Sequence, residues 1–340
     1  MHVFIMARTL LFLALLLLWA GNASAQQATD TPRKGEGISA FLKRNGRPGK
    51  AYHKEFLKLN EKRLRGKEEL LLGVKYILPP LQDTEVEDGG KKKKKKKVVH
   101  EPLFGKKLDD VEIVSDRLKG ACFYISSGHG GPDPGAIGRA GRHELHEDEY
   151  AYDVALRLAR NLMQEGATVR IIIQDKKDGI RDDRYLKNSK RETCMGDPIP
   201  LNQVARLKQR SDKINELYAK DRKQFNYCRA IFLHVDSRSK GEQIDVFFYH
   251  APKSTQGKRL ATGMRNTFQA KYDRHQPNRG FSGTVSERNL YVLRNTLPVG
   301  TYVELGNLQN TLDQRRFVLA DNRQALAKWM TEAIISDYRK

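Results

Sequence analysis

Short apolar runs alternate with amphipathic stretches through the C-terminal two thirds of the chain. The runs at residues 120–125, 168–173, 230–234, 243–249, 290–293 and 301–304 read as buried strands. Between them, residues 148–163, 201–219, 254–271 and 322–338 carry apolar side chains at helical spacing. Strands that alternate with helices predict an α/β layered fold with a mostly parallel sheet. Ligand sites in such sheets lie just outside the carboxyl ends of strands. Three of these runs end in residues fit for metal binding or acid–base work: His129 follows the first, His234 closes Ala230-Ile-Phe-Leu, and Glu304 closes Thr301-Tyr-Val.

The N-terminal third is patterned differently. Residues 1–25 carry His2 and Arg8, an apolar run from Leu10 to Ala20, then small residues before Gln26, which is the plan of a secretory signal. Residues 26–36 are polar and read as a flexible leader. A compact block follows over 37–80, with helical spacing in its first half and a β-prone run ending at Pro79-Pro80. Residues 81–108 read as a charged linker: an acidic stretch from Asp83 to Asp88, then seven consecutive lysines from Lys91 to Lys97. Like charges repel and keep such a block extended, either as a solvated spacer or as a tether to an anionic envelope surface. The large domain then occupies 109–340, interrupted by the aperiodic, charged stretch 175–200, which predicts a functional or mobile loop.

Charge and cysteine usage narrow the partners. A formal net charge of +21 favours anionic surfaces, and export makes nucleic acid the least expected of them. Three cysteines, Cys122, Cys194 and Cys228, lack metal-type spacing; Cys194 and Cys228 are candidates to pair in an oxidising compartment.

The richest stretch runs from Gly128 to Glu147. It is a glycine- and proline-rich turn bearing His129, followed by acidic residues at the start of an amphipathic helix. Two prolines and a late helix start argue against a phosphate cradle. Hydrolytic zinc is typically held by three His or carboxylate ligands at ~2.0–2.2 Å, with an open fourth position. In an exported chain with no Ser or Cys nucleophile motif, two histidines and two carboxylates at strand ends and a helix start point to metal-assisted hydrolysis.

Six ordered blocks then resemble the zinc-dependent N-acetylmuramoyl-L-alanine amidases over roughly residues 117–338. They are Gly128-His-Gly-Gly-Pro-Asp-Pro-Gly-Ala-Ile-Gly138, Glu147-Asp-Glu-Tyr-Ala-Tyr-Asp-Val-Ala, Phe232-Leu-His-Val-Asp-Ser237, Asn278-Arg-Gly280, Leu290-Tyr-Val-Leu-Arg-Asn-Thr296 and Val303-Glu-Leu-Gly-Asn-Leu-Gln-Asn310. The resemblance implies an α/β fold around a six-stranded sheet with flanking helices, one zinc per chain, and cleavage of the peptidoglycan amide between N-acetylmuramic acid and L-alanine. Carried over by position, His129, Glu147 and His234 match the zinc ligands and Glu304 the catalytic glutamate. Asp236 or Ser237 is expected to orient substrate or support His234, and Arg294 is a further candidate near substrate. Departures are Ser126-Ser127 before Gly128, Asp236 in place of the usual Asn, and a spacing that would put the ligand at Glu144. The apolar stripe Tyr150, Val154, Leu158, Leu162 fixes the helix start and favours Glu147. Phe56-Leu-Lys-Leu-Asn60 and Leu72-Gly-Val-Lys-Tyr-Ile-Leu-Pro79 are similar to a divergent LysM module, a glycan reader; a small helical adaptor without ligand fits the same residues.

These expectations describe an exported envelope amidase of a bacterial periplasm or wall, acting on peptidoglycan. The alternative is a non-catalytic peptidoglycan- or polyanion-binding envelope protein. Whether an activator protein is required is not written in the chain.

Overall fold

The computed structural model describes residues 28–33, 35–64, 66, 68–81, 97–236 and 243–339. Residues 1–25, expected to be an export signal, Lys91 to Lys96 and Ser237 lie outside the described residues. Two compact units divide the chain, residues 1–93 and 94–340. Among the described residues no helix is long and apolar enough to cross a membrane.

In the smaller unit, helices Ile38–Arg44, Lys50–Leu59 and Glu61–Leu64 accompany an antiparallel pair, Thr29–Asp30 with Tyr76–Ile77. Phe41, Phe56 and Tyr76 are fully buried and meet as an aromatic cluster. The buried Asn60 side chain donates to the Ile77 carbonyl at 2.8 Å and accepts from the Ile77 amide at 2.8 Å, clamping the strand to the helices. The leader at 26–36 is therefore not free chain throughout, because Thr29–Asp30 supplies one of the two strands.

The larger unit is built on a six-stranded sheet. Its strands, in chain order, are β1 (Ala121–Ser127), β4 (Thr168–Ile171), β5 (Tyr227–Asp236), β6 (Phe247–His250), β7 (Val285–Glu287) and β8 (Val299–Asn307), while Ile137–Ala140 and His143–His146 form a separate hairpin, β2 and β3. Their spatial order is β7-β6-β8-β5-β1-β4, and every pairing is parallel except β6 with β8. Helices α1 (Glu147–Gln164), α2 (Gln203–Asp221), α3 (Thr255–His275), α4 (Tyr291–Asn295), α5 (Thr311–Val318) and α6 (Ala320–Tyr338) cover it. Alternation along the strands builds two cores. Phe123, Ile125, Ile231 and Leu233 face α1, α3 and α6, whereas Cys122, Tyr124, Ala230 and Phe232 face Ile214 of α2 and Val292 and Leu293 of α4. The fold is thus α/β with a mostly parallel six-stranded sheet between helical layers.

Several expectations change. Residues 290–293 are not a strand: Tyr291–Asn295 is helical and buries Val292 and Leu293 on one face of the sheet, and Val285–Glu287 provides the sixth strand instead. A four-residue apolar run fits either state, and tertiary burial decides. The linker ends earlier than residue 108, since Val98–His100 pairs with Asp110–Glu112 and Phe104 is buried against Val111, Tyr152 and Leu156. Cys194 and Cys228 do not pair; all three cysteines are free and buried. The stretch 175–200 is pinned, not loose. Arg181 reaches Glu149 at 2.8 Å, Arg157 reaches Asp182 at 2.8 Å, and Thr193–Cys194 is the middle strand of a small sheet between Ile173–Gln174 and Asp197–Pro198.

Candidate metal centre

Strand β1 runs out through Gly128 into His129, which adopts a left-handed backbone conformation (φ 56°) uncommon for a residue with a side chain. Arg210 of α2 donates to the His129 carbonyl and holds it there. A Cβ on Gly128 would sit 2.2 Å from the His234 ring, so only glycine lets β1 pass beneath that histidine. Gly135, at φ 68°, plays the same part on the other side: a Cβ there would meet Glu147 Oε2 and His129 Cδ2 at 2.7 Å.

These bare positions make room for a tight cluster. Glu147, the first residue of α1, is 5% exposed. Its Oε2 lies 3.3 Å from His129 Nε2 and accepts from the Ala136 amide at 2.8 Å. Its Oε1 lies 2.9 Å from His234 Nδ1 and accepts from the Val235 amide at 3.0 Å. One ligand atom from each of His129, Glu147 and His234 lies within 4.8 Å of the other two. Glu144 is half-exposed on the β2–β3 hairpin, where it meets Arg139 at 3.2 Å and His146 at 3.5 Å. His143 is stacked on Tyr185 at 3.8 Å.

Asp133, four residues after His129, is the partner that orients the ring. Its Oδ2 lies 2.8 Å from His129 Nδ1 and 2.5 Å from Arg206 of α2. A carboxylate on Nδ1 leaves Nε2 as the free nitrogen, aimed at Glu147. Burial acts to lower the His129 pKa, but hydrogen bonds to Asp133 and Glu147 prevail and hold it up to about 10. For Glu147, burial would raise the carboxyl, yet the two histidines hold it well below the usual carboxylate range. His234 is driven the other way, because burial lowers it.

Glu304 stands in register with His234 across the parallel β5–β8 pair. Just beyond, β8 carries one extra residue, so that His234 faces Glu304 while Asp236 faces Asn307. Tyr302, two residues before Glu304 and on the same face, stacks on His234 with ring centroids 4.4 Å apart, and burial together with the Glu304 charge raises the pKa of its hydroxyl. Asp236 offers its carbonyl to the Leu308 amide at 2.9 Å. Arg294 is exposed and meets Asn289 and the Tyr291 ring, while Arg279 is tied to the buried Asp245.

The cluster thus offers two imidazoles and a carboxylate at the carboxyl ends of β1 and β5, with a second carboxylate alongside on β8. A family model described as N-acetylmuramoyl-L-alanine amidase matches residues 124–336 and so takes in all four side chains. The chain belongs to this amidase family. Its reaction is hydrolysis of the peptidoglycan amide that joins N-acetylmuramic acid to L-alanine. Similar solved structures include the N-acetylmuramoyl-L-alanine amidase AmiC2 of Nostoc punctiforme, at 19% identity over 66% of this chain and 99% of that one, TM-score 0.45. An N-acetylmuramoyl-L-alanine amidase from Clostridium difficile 630 is similar at 18% identity, 66% and 98% coverage and TM-score 0.46. No curated protein matches.

Sequence reasoning about this amidase did not single out Asp133, Arg206, Arg210 or Tyr302. Asp133 was within reach, lying in the same turn as His129. The α2 arginines were not, because nothing local ties a helix about 80 residues downstream to that turn.

Proposed function

We propose that this amidase is zinc-dependent, with His129, Glu147 and His234 holding one zinc ion per chain and Glu304 acting as general base and acid. The convergence of the three donor groups within 4.8 Å carries the reading. The donor set fits the metal: neutral imidazole and carboxylate are the ligands of hydrolytic zinc, and Asp133 on Nδ1 of His129 is the usual outer support. When bound, zinc supplies Lewis-acid polarisation of a carbonyl and activation of water near neutral pH.

The chain's own residues do the rest. Glu304, beside His234 at the sheet's edge, takes a proton from the attacking water and returns it to the departing L-alanine amine. Tyr302 braces the His234 ring, and its buried hydroxyl sits within the field of the Glu304 carboxylate. Residues 1–25 act as an export signal, the 37–80 module reads glycan in the manner of LysM modules, and the run ending at Lys97 adds attraction to anionic envelope. The site of action is the envelope of a bacterium.

The deciding experiment measures metal content and release of stem peptide from purified sacculi, for wild type and Glu304→Ala. One zinc per chain in both, with release lost only in the variant by ~10²–10⁴-fold, supports the assignment. A zinc-free wild type that still releases peptide overturns it.

A further inference from the structure

Behind the zinc-type cluster lies a second group of carboxylates that the amidase reaction does not use. Asp148, Glu149 and Glu192 are 2%, 1% and 6% exposed, and one oxygen from each lies within 4.8 Å of the other two. Burying three carboxylates together is costly unless cations or donors compensate. Arg181 neutralises one, at 2.8 Å from Glu149 Oε2. The neighbouring Arg191 is engaged by Asp175 at 3.0 Å and Asp178 at 2.9 Å. Backbone amides satisfy some of the oxygens: Glu149 N donates to Asp148 Oδ1 at 2.9 Å, Gly131 N to Glu192 Oε2 at 2.8 Å, and Ser189 N to Glu149 Oε1. Asp148 Oδ2 is fully buried and has no hydrogen-bond partner among the described residues.

We infer that Asp148, Glu149 and Glu192 form a binding site for a calcium ion, distinct from the site at His129, Glu147 and His234. The donor set is all oxygen and all carboxylate, which selects a hard divalent cation over zinc. Magnesium demands near-ideal octahedral geometry and keeps several waters, whereas calcium accepts irregular oxygen cages such as this buried one. Position gives the ion a purpose. Asp148 and Glu149 lie in the first turn of α1, immediately after Glu147; Glu192 belongs to the 175–200 stretch and also holds Gly131 in the turn that carries His129. A cation here fastens helix, turn and loop together at the base of the catalytic cluster.

Equilibrium dialysis of the zinc-loaded full chain against radioactive calcium at neutral pH tests this, with zinc content recorded on the same samples. The expected result is one calcium per chain with zinc unchanged, a melting temperature that rises with calcium, and at least ~10-fold weaker calcium binding in Glu192→Gln and in Asp148→Asn. Both variants replace a carboxylate by its isosteric amide, and circular dichroism establishes that they fold. No bound calcium well above the ~10⁻³ M typical of weak extracellular sites overturns the inference. So does calcium binding that survives in both variants, or tighter binding of magnesium. Because the readout is calcium, its failure with zinc content and sacculus hydrolysis intact sinks this site alone and leaves the zinc assignment standing.

Discussion

Tyr302 stacks face to face on His234, their ring planes 16° apart, and its buried hydroxyl feels the charge of Glu304, two residues along the same strand face. One side chain therefore braces a proposed metal ligand and adjoins the proposed proton carrier. Tyr302→Phe keeps the stack and removes the hydroxyl. It is expected to retain full zinc content and lose about 3–10-fold in kcat, the size of one polar interaction with the Glu304 charge. Tyr302→Ala removes the brace as well, and zinc affinity is expected to fall ~10–100-fold, as for other outer supports of a metal site. Metal titration beside steady-state rates on sacculi checks both; equal behaviour of the two variants would show that the stack does nothing.

Glu147 rather than Glu144 carries the third ligand position in our proposal. Only Glu147 lies within 3.3 Å of both histidines, while Glu144 pairs with Arg139 and His146 on an exposed hairpin. Glu147→Gln is expected to abolish stoichiometric zinc, and Glu144→Gln to leave it unchanged. Elemental analysis of the two purified variants decides, and the reverse pattern would move the ligand to Glu144.

The legible part of this architecture was local. Runs such as Ala121-Cys-Phe-Tyr-Ile125 and the stripe Tyr150, Val154, Leu158, Leu162 announce a strand and a helix because burial imposes the period. The strand-end positions of His129, His234 and Glu304 followed from the same runs. What stayed hidden was set by long-range contact. The helical state of Tyr291–Asn295 depends on the sheet face it covers, and the Arg206 and Arg210 support for the His129 turn comes from a helix remote in sequence. The 175–200 stretch read as a functional or mobile loop because its order comes from arginine–carboxylate pairs, which leave no periodicity behind.

In the proposed site proton and metal compete for His129, which gives the metal-free protein a distinct pH response. Its pKa stands at about 10, against an ordinary value near 6.5. A raised folded-state value stabilises the fold fully below about pH 6.5, and that contribution is lost as pH rises through about 10. Chelator-treated wild type should therefore lose melting temperature between pH 6.5 and 10 more steeply than chelator-treated His129→Gln. Thermal melts across that window measure the difference, and identical slopes would remove His129 as its source.

Arg323 fastens the 175–200 stretch to the rest of the large unit. It is fully buried, donates to Asp153 Oδ2 at 2.6 Å, and reaches the Arg181 and Asp183 carbonyls at 2.6 and 3.1 Å. Asp153 is equally buried; it also meets Arg157 at 2.7 Å and accepts from the Arg181 amide at 2.8 Å. Arg323→Met takes its donor from the Asp183 carbonyl, leaves the Arg181 carbonyl with Arg157 alone and the carboxylate with half its positive charge, and breaking a buried pair of this kind costs about 3–5 kcal/mol. At about 2–4 °C per kcal/mol for a domain of this size, the melting temperature should drop by roughly 10 °C. The 175–200 stretch should also become the first site of cleavage in limited proteolysis, because it loses two backbone anchors while its short sheet is retained. A melting temperature within a degree or two of wild type would show that Arg157 alone neutralises Asp153, and that the arginine at 323 is dispensable to the loop.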